Sequence, residues 1–393
     1  MSQGTAADSS VSRRKFLIRS ATAGVAGLAG CSSSGDGNGG GDGADGGSEG
    51  GSTAADAEGD ASMNTELLDA EGSSTVYPIS NKGSSYWNAN APPSDGEYWG
   101  DNGESSVPGW DKIQTEKYLA DYFASMYGFE PTEQRSDAPF PTTVSLSHSG
   151  TGCKAVRDQL VDIGNSSGPI TAELGWSEEK ANEEVVDHVV GRDGQPVVVS
   201  SDIYDAGVTQ LTGEEVRKIY QDEITNWSDV GGPDQEIFVI GRAEGSGTDT
   251  AFRLNMLGGA DAAMPGVDSR FGQNQQVAEA VSNNDGAIAY MALAFTSDTV
   301  QPIGINFEGT LYEPDKDAEN TIFDSAYPLN RDLHMYTMIT EDTPEGTDLR
   351  EGAFLNMFLT EFGQIVFVED NNYIPLPTKD IEAEAAKLPE KQN

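Results

Sequence analysis

Basic side chains are scarce in this chain. Its 393 residues carry 23 Lys and Arg against 65 Asp and Glu, a formal net charge of −42. With no basic patch to neutralise a phosphodiester backbone, nucleic acid is excluded as a partner. The acid excess runs along the whole sequence, so it is not a local acidic site. It suits a medium of molar salt, where a Debye length of about 3 Å suppresses self-repulsion. Cysteine is nearly absent, with Cys31 and Cys153 alone. The three histidines, His148, His188 and His334, show no metal-ligand spacing,. No G-x-x-x-x-G-K-[ST] or H-E-x-x-H segment occurs,. We therefore assign no catalytic residue, no metal site and no cofactor. Long apolar runs are missing too. The best candidate, Ala21–Gly30, offers about 10 residues after Arg19, against roughly 20 needed to span a bilayer.

What the amino terminus does have is an address. SRRKFL at 12–17 pairs Arg13 with Arg14, and a moderately apolar stretch follows to LAGC at 28–31. This resembles a twin-arginine export signal ending in a lipobox, with Cys31 as the lipidated first residue after cleavage. Residues 1–31 would be the signal peptide, and such export implies folding before crossing. With Cys31 lipidated, Cys153 has no partner and a structural disulfide is excluded. Cys153 falls in the first turn of a helix, which favours a lowered pKa; the competing reading is a small buried packing residue. Residues 32–65 hold no Lys or Arg and almost nothing apolar. They read as a flexible acidic Gly/Ser tether without chemistry of its own.

Three Gly/Ser/Thr-rich turns stand out. GRAEGSGTDT (241–250) follows the apolar run IFVI (237–240) and precedes AFRLNML (251–257). A strand, a glycine-punctuated loop and a helix start form an anion cradle, because the first helical N–H groups are unpaired and the dipole is positive there. Arg242 adds a fork for oxyanions, and Ser246 and Thr248 add hydroxyl donors. SHSGTGCKAV (147–156) repeats the device after the alternating run TTVSLS (142–147), opening a helix that carries Val156, Leu160 and Val161,. EGSSTVYPIS (71–80) is the third. Any one cluster reads equally well as an ordinary cap and turn. Three together suggest helix N-termini converging on one anion.

GSSTVYPIS, SGTGCKAV, DIGNSSGPI (162–170), GRAEGSGTDTAF and NNDGAIAYMAL (283–293) occur in the order seen in phosphate-binding proteins of phosphate ABC importers, and the chain resembles that family. TNWSDVGG (225–232), YPLNRDLHMYT (327–337) and AFLNMFLTEFGQIVFVEDNNYIPLP (353–377) are similar to it as well. The resemblance covers residues 66–380 or so. It implies an α/β, two-lobed periplasmic-binding-protein-like (type II) fold, with a hinge between lobe I (66–197 plus 326–393) and lobe II (198–325). It implies inorganic phosphate as ligand, held by Ser74, Thr75 and the Val76 amide, by Ser149 and Ser167, and by Arg242, Ser246, Gly247 and Thr248. Gly150, Thr151 and Gly152 would support with amides, and Glu244 would pair with Arg242. Some members have Asp where this chain has Ser167, so the margin of phosphate over sulfate should be smaller here. The implied protein is a monomeric receptor anchored by lipid to the outer face of the cytoplasmic membrane, in an extreme halophile. Its partners would be a permease and a separate ATPase. The alternatives are a receptor for sulfate, molybdate or tungstate, or a phosphatase using the same cradle. The phosphatase lacks the metal cluster or activated nucleophile such chemistry needs.

Independently of the resemblance, strand-like runs at 143–147, 185–190, 196–200, 236–240 and 287–291 alternate with helix-like ones, which favours α/β layers. Residues 113–127 place Leu119, Tyr122, Phe123, Met126 and Tyr127 on one helix face, with Gly128 as terminator. Thr212 and Glu215 form a capping box before Val216, Ile219 and Tyr220. SYWNANAPPSDGEYWGDNGESSVPGWDKI (85–113) departs from the family pattern and reads as a surface loop carrying Trp87, Trp99 and Trp110.

Overall fold

The computed structural model describes residues 65–99 and 116–392; Cys31, nearly all of the tether and Trp110 lie outside them. Two five-stranded sheets organise the chain. In the first, β1 (Leu68–Ser73) lies parallel to β2 (Thr142–Ser147) and β3 (Ile163–Ser166). β13 (Asn330–Met338) runs antiparallel between β3 and β4 (Val185–Gly194), giving the order β2-β1-β3-β13-β4. The second sheet has the order β10 (Val300–Pro302), β5 (Val197–Ser200), β9 (Ala287–Tyr290), β7 (Phe238–Arg242) and β8 (Ser269–Phe271). β6 (Gln210–Thr212), β11 (Gly304–Phe307) and β12 (Thr310–Tyr312) form a third, small sheet.

The central strands are apolar throughout because both of their faces are covered. β5 (VVVS) and β9 (AIAY) are buried at every position, as expected for strands sandwiched between helices. Helix Asn274–Ser282 covers one face by burying Val277 and Val281 against Val198, Ile240, Ala289 and Val300. Against the first sheet, helix Leu349–Phe358 is buried at nine of its ten positions, all but Leu349. The chain crosses between the two sheets through Gln195 and Pro196 and returns between β12 and β13.

The Thr212 capping box forms: the Thr212 hydroxyl accepts from the Glu215 amide, and the Glu215 carboxylate accepts from the Thr212 amide. Other expectations shift. The helix expected over 113–127 is Leu119–Ser125, with Tyr118 extended. Its first amides, Ala120 and Asp121, are capped by Asn90 Oδ1 from thirty residues upstream, so the start is set by a tertiary contact that local pattern does not reveal. Gly128 ends the segment at positive φ, as expected. The helix opening at Ser149 stops at Arg157, and Gln159 is left-handed. Leu160 is 72% exposed and leaves the core face. The loop expected from residue 85 begins later, because Ser85–Ala89 complete the helix Tyr77–Ala89. Trp87 is fully buried there and donates to Phe140 O at 2.8 Å.

Candidate anion-binding site

All three glycine-rich turns meet at one place, where the first sheet faces the second. The first turn follows β1. Gly72 sits at φ +143°, and a Cβ there would lie 2.1 Å from Asn165 O, so only glycine lets β1 and β3 approach this closely,. Ser73 Oγ accepts from the amides of Thr75 (3.1 Å) and Val76 (3.4 Å) and donates to Ser167 Oγ (3.0 Å). That shapes the turn before helix Tyr77–Ala89. In the second turn Ser149 Oγ accepts from the Ser167 amide at 3.1 Å. The third comes from the opposite sheet. Gly247 fits so tightly that a Cβ would lie 2.3 Å from Ser149 Oγ and 2.8 Å from Gly168 N. Thr75 Oγ1 and Thr248 Oγ1 are 3.0 Å apart, and the Gly150 amide donates to Gly245 O at 3.0 Å.

Two buried arginines face this junction. Arg242, at the end of β7, donates from Nη1 to Asn274 Oδ1 (2.6 Å) and from Nη2 to Gly272 O (2.7 Å) and Ser74 Oγ (3.1 Å). Burial pushes its pKa down to about 10, so it is still a cation at neutral pH. Among the described residues no carboxylate lies within ion-pair distance of it. Arg331, on β13, is paired instead with Asp193, at 3.0 Å from Nε and 2.6 Å from Nη2. Its Nη1 reaches Ser167 O (3.3 Å) and its Nη2 reaches Thr248 Oγ1 (3.2 Å). Burial raises the Asp193 pKa, and Arg331 opposes that shift.

The structure brings together Ser74, Thr75, Val76, Ser149, Ser167, Arg242, Ser246, Gly247 and Thr248, all of them buried. Ser246 Oγ is buried without a hydrogen-bond partner in the protein. All four supporting assignments change, that of Gly150 because its amide is taken by Gly245 O. Glu244 is exposed, and the Arg242 fork is oriented by Asn274 and by the carbonyls of Gly272 and Phe271 (3.3 Å from Nε) rather than by a carboxylate. Thr151 is exposed. Gly152 spends its amide on His148 O, and a Cβ on it would meet Glu71 O at 2.5 Å, so it packs the helix onto β1. Cys153 is fully buried and burial raises its thiol pKa, which makes it a packing residue. Asn274, Asp193 and Arg331 are the participants that motif reading overlooks, and Ser73 is passed over within the first cradle. Asn274, Asp193 and Arg331 sit in short polar stretches that match no anion-site motif.

Glu173 flanks the junction. Its carboxyl lies under Gly150 and Gly168, and its Oε1 is buried without a hydrogen-bond partner in the protein. Burial drives its pKa up to about 7, and nearby Asp249 adds to the rise. Burial lowers the His148 pKa, and the nearness of Arg242 adds to that shift. A cavity of about 720 Å³ opens alongside, with Ser167, Gly168 and Arg331 on one wall and Ala251, Leu254 and Asn255 on the other.

The family model for the PBP superfamily domain matches residues 118–362. Phosphate-binding protein PstS of Bacillus subtilis (strain 168) is 29% identical over 256 residues, covering 64% of this chain and 76% of that protein. Phosphate-binding protein PstS of Staphylococcus haemolyticus is 26% identical, covering 63% and 76%. Among solved structures, a substrate-binding protein with bound phosphate from Clostridium perfringens superposes with a TM-score of 0.56 at 19% identity, over 79% of this chain and all of that one. An ABC-type phosphate transport receptor from Vibrio cholerae gives 0.50 at 19% identity, with the same coverage. These structural likenesses establish the two-lobed α/β fold.

Proposed function

The chain belongs to the PBP superfamily, and on that premise we propose that it captures inorganic phosphate between its two lobes and delivers it to an ABC permease. The observation that carries this reading is Arg242: a fully buried guanidinium with neutral partners only, reaching across to Ser74 of the other lobe. A buried cation without a counter-ion is costly, and an oxyanion supplies the missing charge. Ser74, Thr75, Val76, Ser149, Ser167, Ser246, Gly247 and Thr248 surround the place where that anion would bind, and their hydroxyls and amides suit tetrahedral oxygens. The relatives are phosphate-binding proteins rather than enzymes, which removes the phosphatase alternative.

Lobe I is proposed as 66–197 plus 326–393 and lobe II as 198–325. The membership of β1 to β4 and β13 in one sheet and β5, β7 to β10 in the other supports this division. The proposal extends to export through the twin-arginine route, lipidation at Cys31, life in molar salt and action as a monomer. The LAGC motif and the acid excess support these readings. Titrating the protein calorimetrically in about 2–4 M salt with phosphate, sulfate, arsenate and molybdate tests the ligand. Phosphate should bind most tightly, with a modest margin over sulfate because Ser167 offers a hydroxyl where a carboxylate would repel sulfate. Tighter sulfate or molybdate binding would reassign the substrate to another tetrahedral oxyanion.

A further inference from the structure

We propose that Arg331 is a second ligand-facing cation, aimed by Asp193, and that this pair makes oxyanion capture and lobe closure a single event. The inference rests on the oxyanion reading above. Arg331 and Asp193 are register partners on β13 and β4, next to the points where the chain leaves and re-enters the first sheet. Both are buried. Asp193 Oδ2 takes two donors of the guanidinium, at 3.0 and 2.6 Å, while its Oδ1 accepts from the Leu293 amide of the second lobe at 3.0 Å. One carboxylate therefore fixes the arginine and ties the crossing strand to lobe II.

The remaining donors of Arg331 point at the residues proposed to hold the ligand. Nη1 lies 3.3 Å from Ser167 O and 3.5 Å from Ser167 Oγ; Nη2 lies 3.4 Å from Thr75 Oγ1 and 3.2 Å from Thr248 Oγ1. Charge-assisted bonds normally run at about 2.7–2.9 Å, so these long contacts to neutral oxygens leave the fork able to take a stronger acceptor. Thr75 and Thr248 belong to opposite lobes, so an arginine that engages both is in place only when the lobes are together. Asp193 cancels the charge of Arg331, so the fork contributes directed donors while Arg242 supplies the uncompensated charge. Arg331 also lines the cavity beside the junction, which places it where an arriving anion meets the protein.

The test uses the mature protein in molar salt. The double variant Asp193→Asn/Arg331→Met removes both charges together, so no buried charge is stranded, and Asn keeps an acceptor for Leu293. It should melt within a few degrees of wild type in the absence of ligand. It should bind phosphate at least about tenfold more weakly and contract less in small-angle scattering when phosphate is added. Arg331→Lys keeps the ion pair but loses the fork; it should lose affinity several-fold, and it covers the case in which the double variant fails to fold. Phosphate affinity within twofold of wild type in either folded variant overturns the role of Arg331. If those variants are unchanged while Arg242→Ala loses binding, the oxyanion reading survives alone. If wild type itself binds no phosphate, sulfate or molybdate, both fall.

Discussion

Two ionisable residues at the junction have properties that experiments can read directly. Arg242 keeps its charge although burial lowers its pKa to about 10, and its hydrogen bonds go to neutral oxygens. Hydrogen bonds to a charged group contribute about 1.5–3 kcal/mol each. Arg242→Ala should therefore weaken phosphate binding by at least about tenfold to a hundredfold in calorimetry, and an unchanged dissociation constant would remove it from the site. Glu173 behaves oppositely. Its ordinary pKa is 4.5 and burial raises it to about 7, so across that window the folded chain holds a proton that the unfolded chain has released. Stability then falls as pH rises from about 4.5 to about 7 and is level above that. Glu173→Gln should gain nothing in melting temperature near pH 4.5 and a steady advantage above pH 7; a difference that does not vary with pH would refute this. Arg242 was legible from sequence because it ends a strand before a glycine-rich loop. Arg331 was not, since one arginine inside NRDLHMYTM looks like any polar residue on a half-buried strand. Its meaning lies in Asp193, 138 residues away.

Strand-loop-helix units explain why so much of the site was readable. The alternation in TTVSLS and the glycines that follow are local signals, and the structure places β2 and helix Ser149–Arg157 there. Ends set by distant partners were misplaced, as with the Asn90 cap on helix Leu119–Ser125. Glu244 was misassigned because its pairing was carried over from the resemblance, while here it precedes the turn at Gly245 (φ +79°) and is exposed to solvent. The tightest contact between elements gives the next prediction. A Cβ at residue 247 would collide with Ser149 Oγ and Gly168 N, and overpacking of this kind typically costs about 1–3 kcal/mol. Gly247→Ala should hold the lobes apart. Phosphate affinity should drop roughly tenfold and ligand-induced contraction in small-angle scattering should shrink. Full contraction in that variant would show that the junction has slack.

At the scale of the molecule, the described fold begins near Leu68, well after the proposed anchor. Cys31→Ser should therefore leave phosphate affinity unchanged while releasing the protein into the medium or leaving its precursor uncleaved. Membrane retention equal to wild type after cell fractionation would count against lipidation. The cradle is assembled from residues between Ser73 and Arg331, and the proposed anchor and molar-salt setting concern location and solvent rather than binding. The place of β13 has a further consequence, for biosynthesis. Strand Asn330–Met338 lies between β3 and β4, so no shorter product of translation can close the first sheet. Until that segment leaves the ribosome, two inner edges of the nascent chain stand open to mispairing, and unpaired edges invite aggregation. An amino-terminal fragment cannot mature ahead of the rest, and the lobe that starts first finishes last. A transport route that accepts only finished proteins fits a chain assembled in this order.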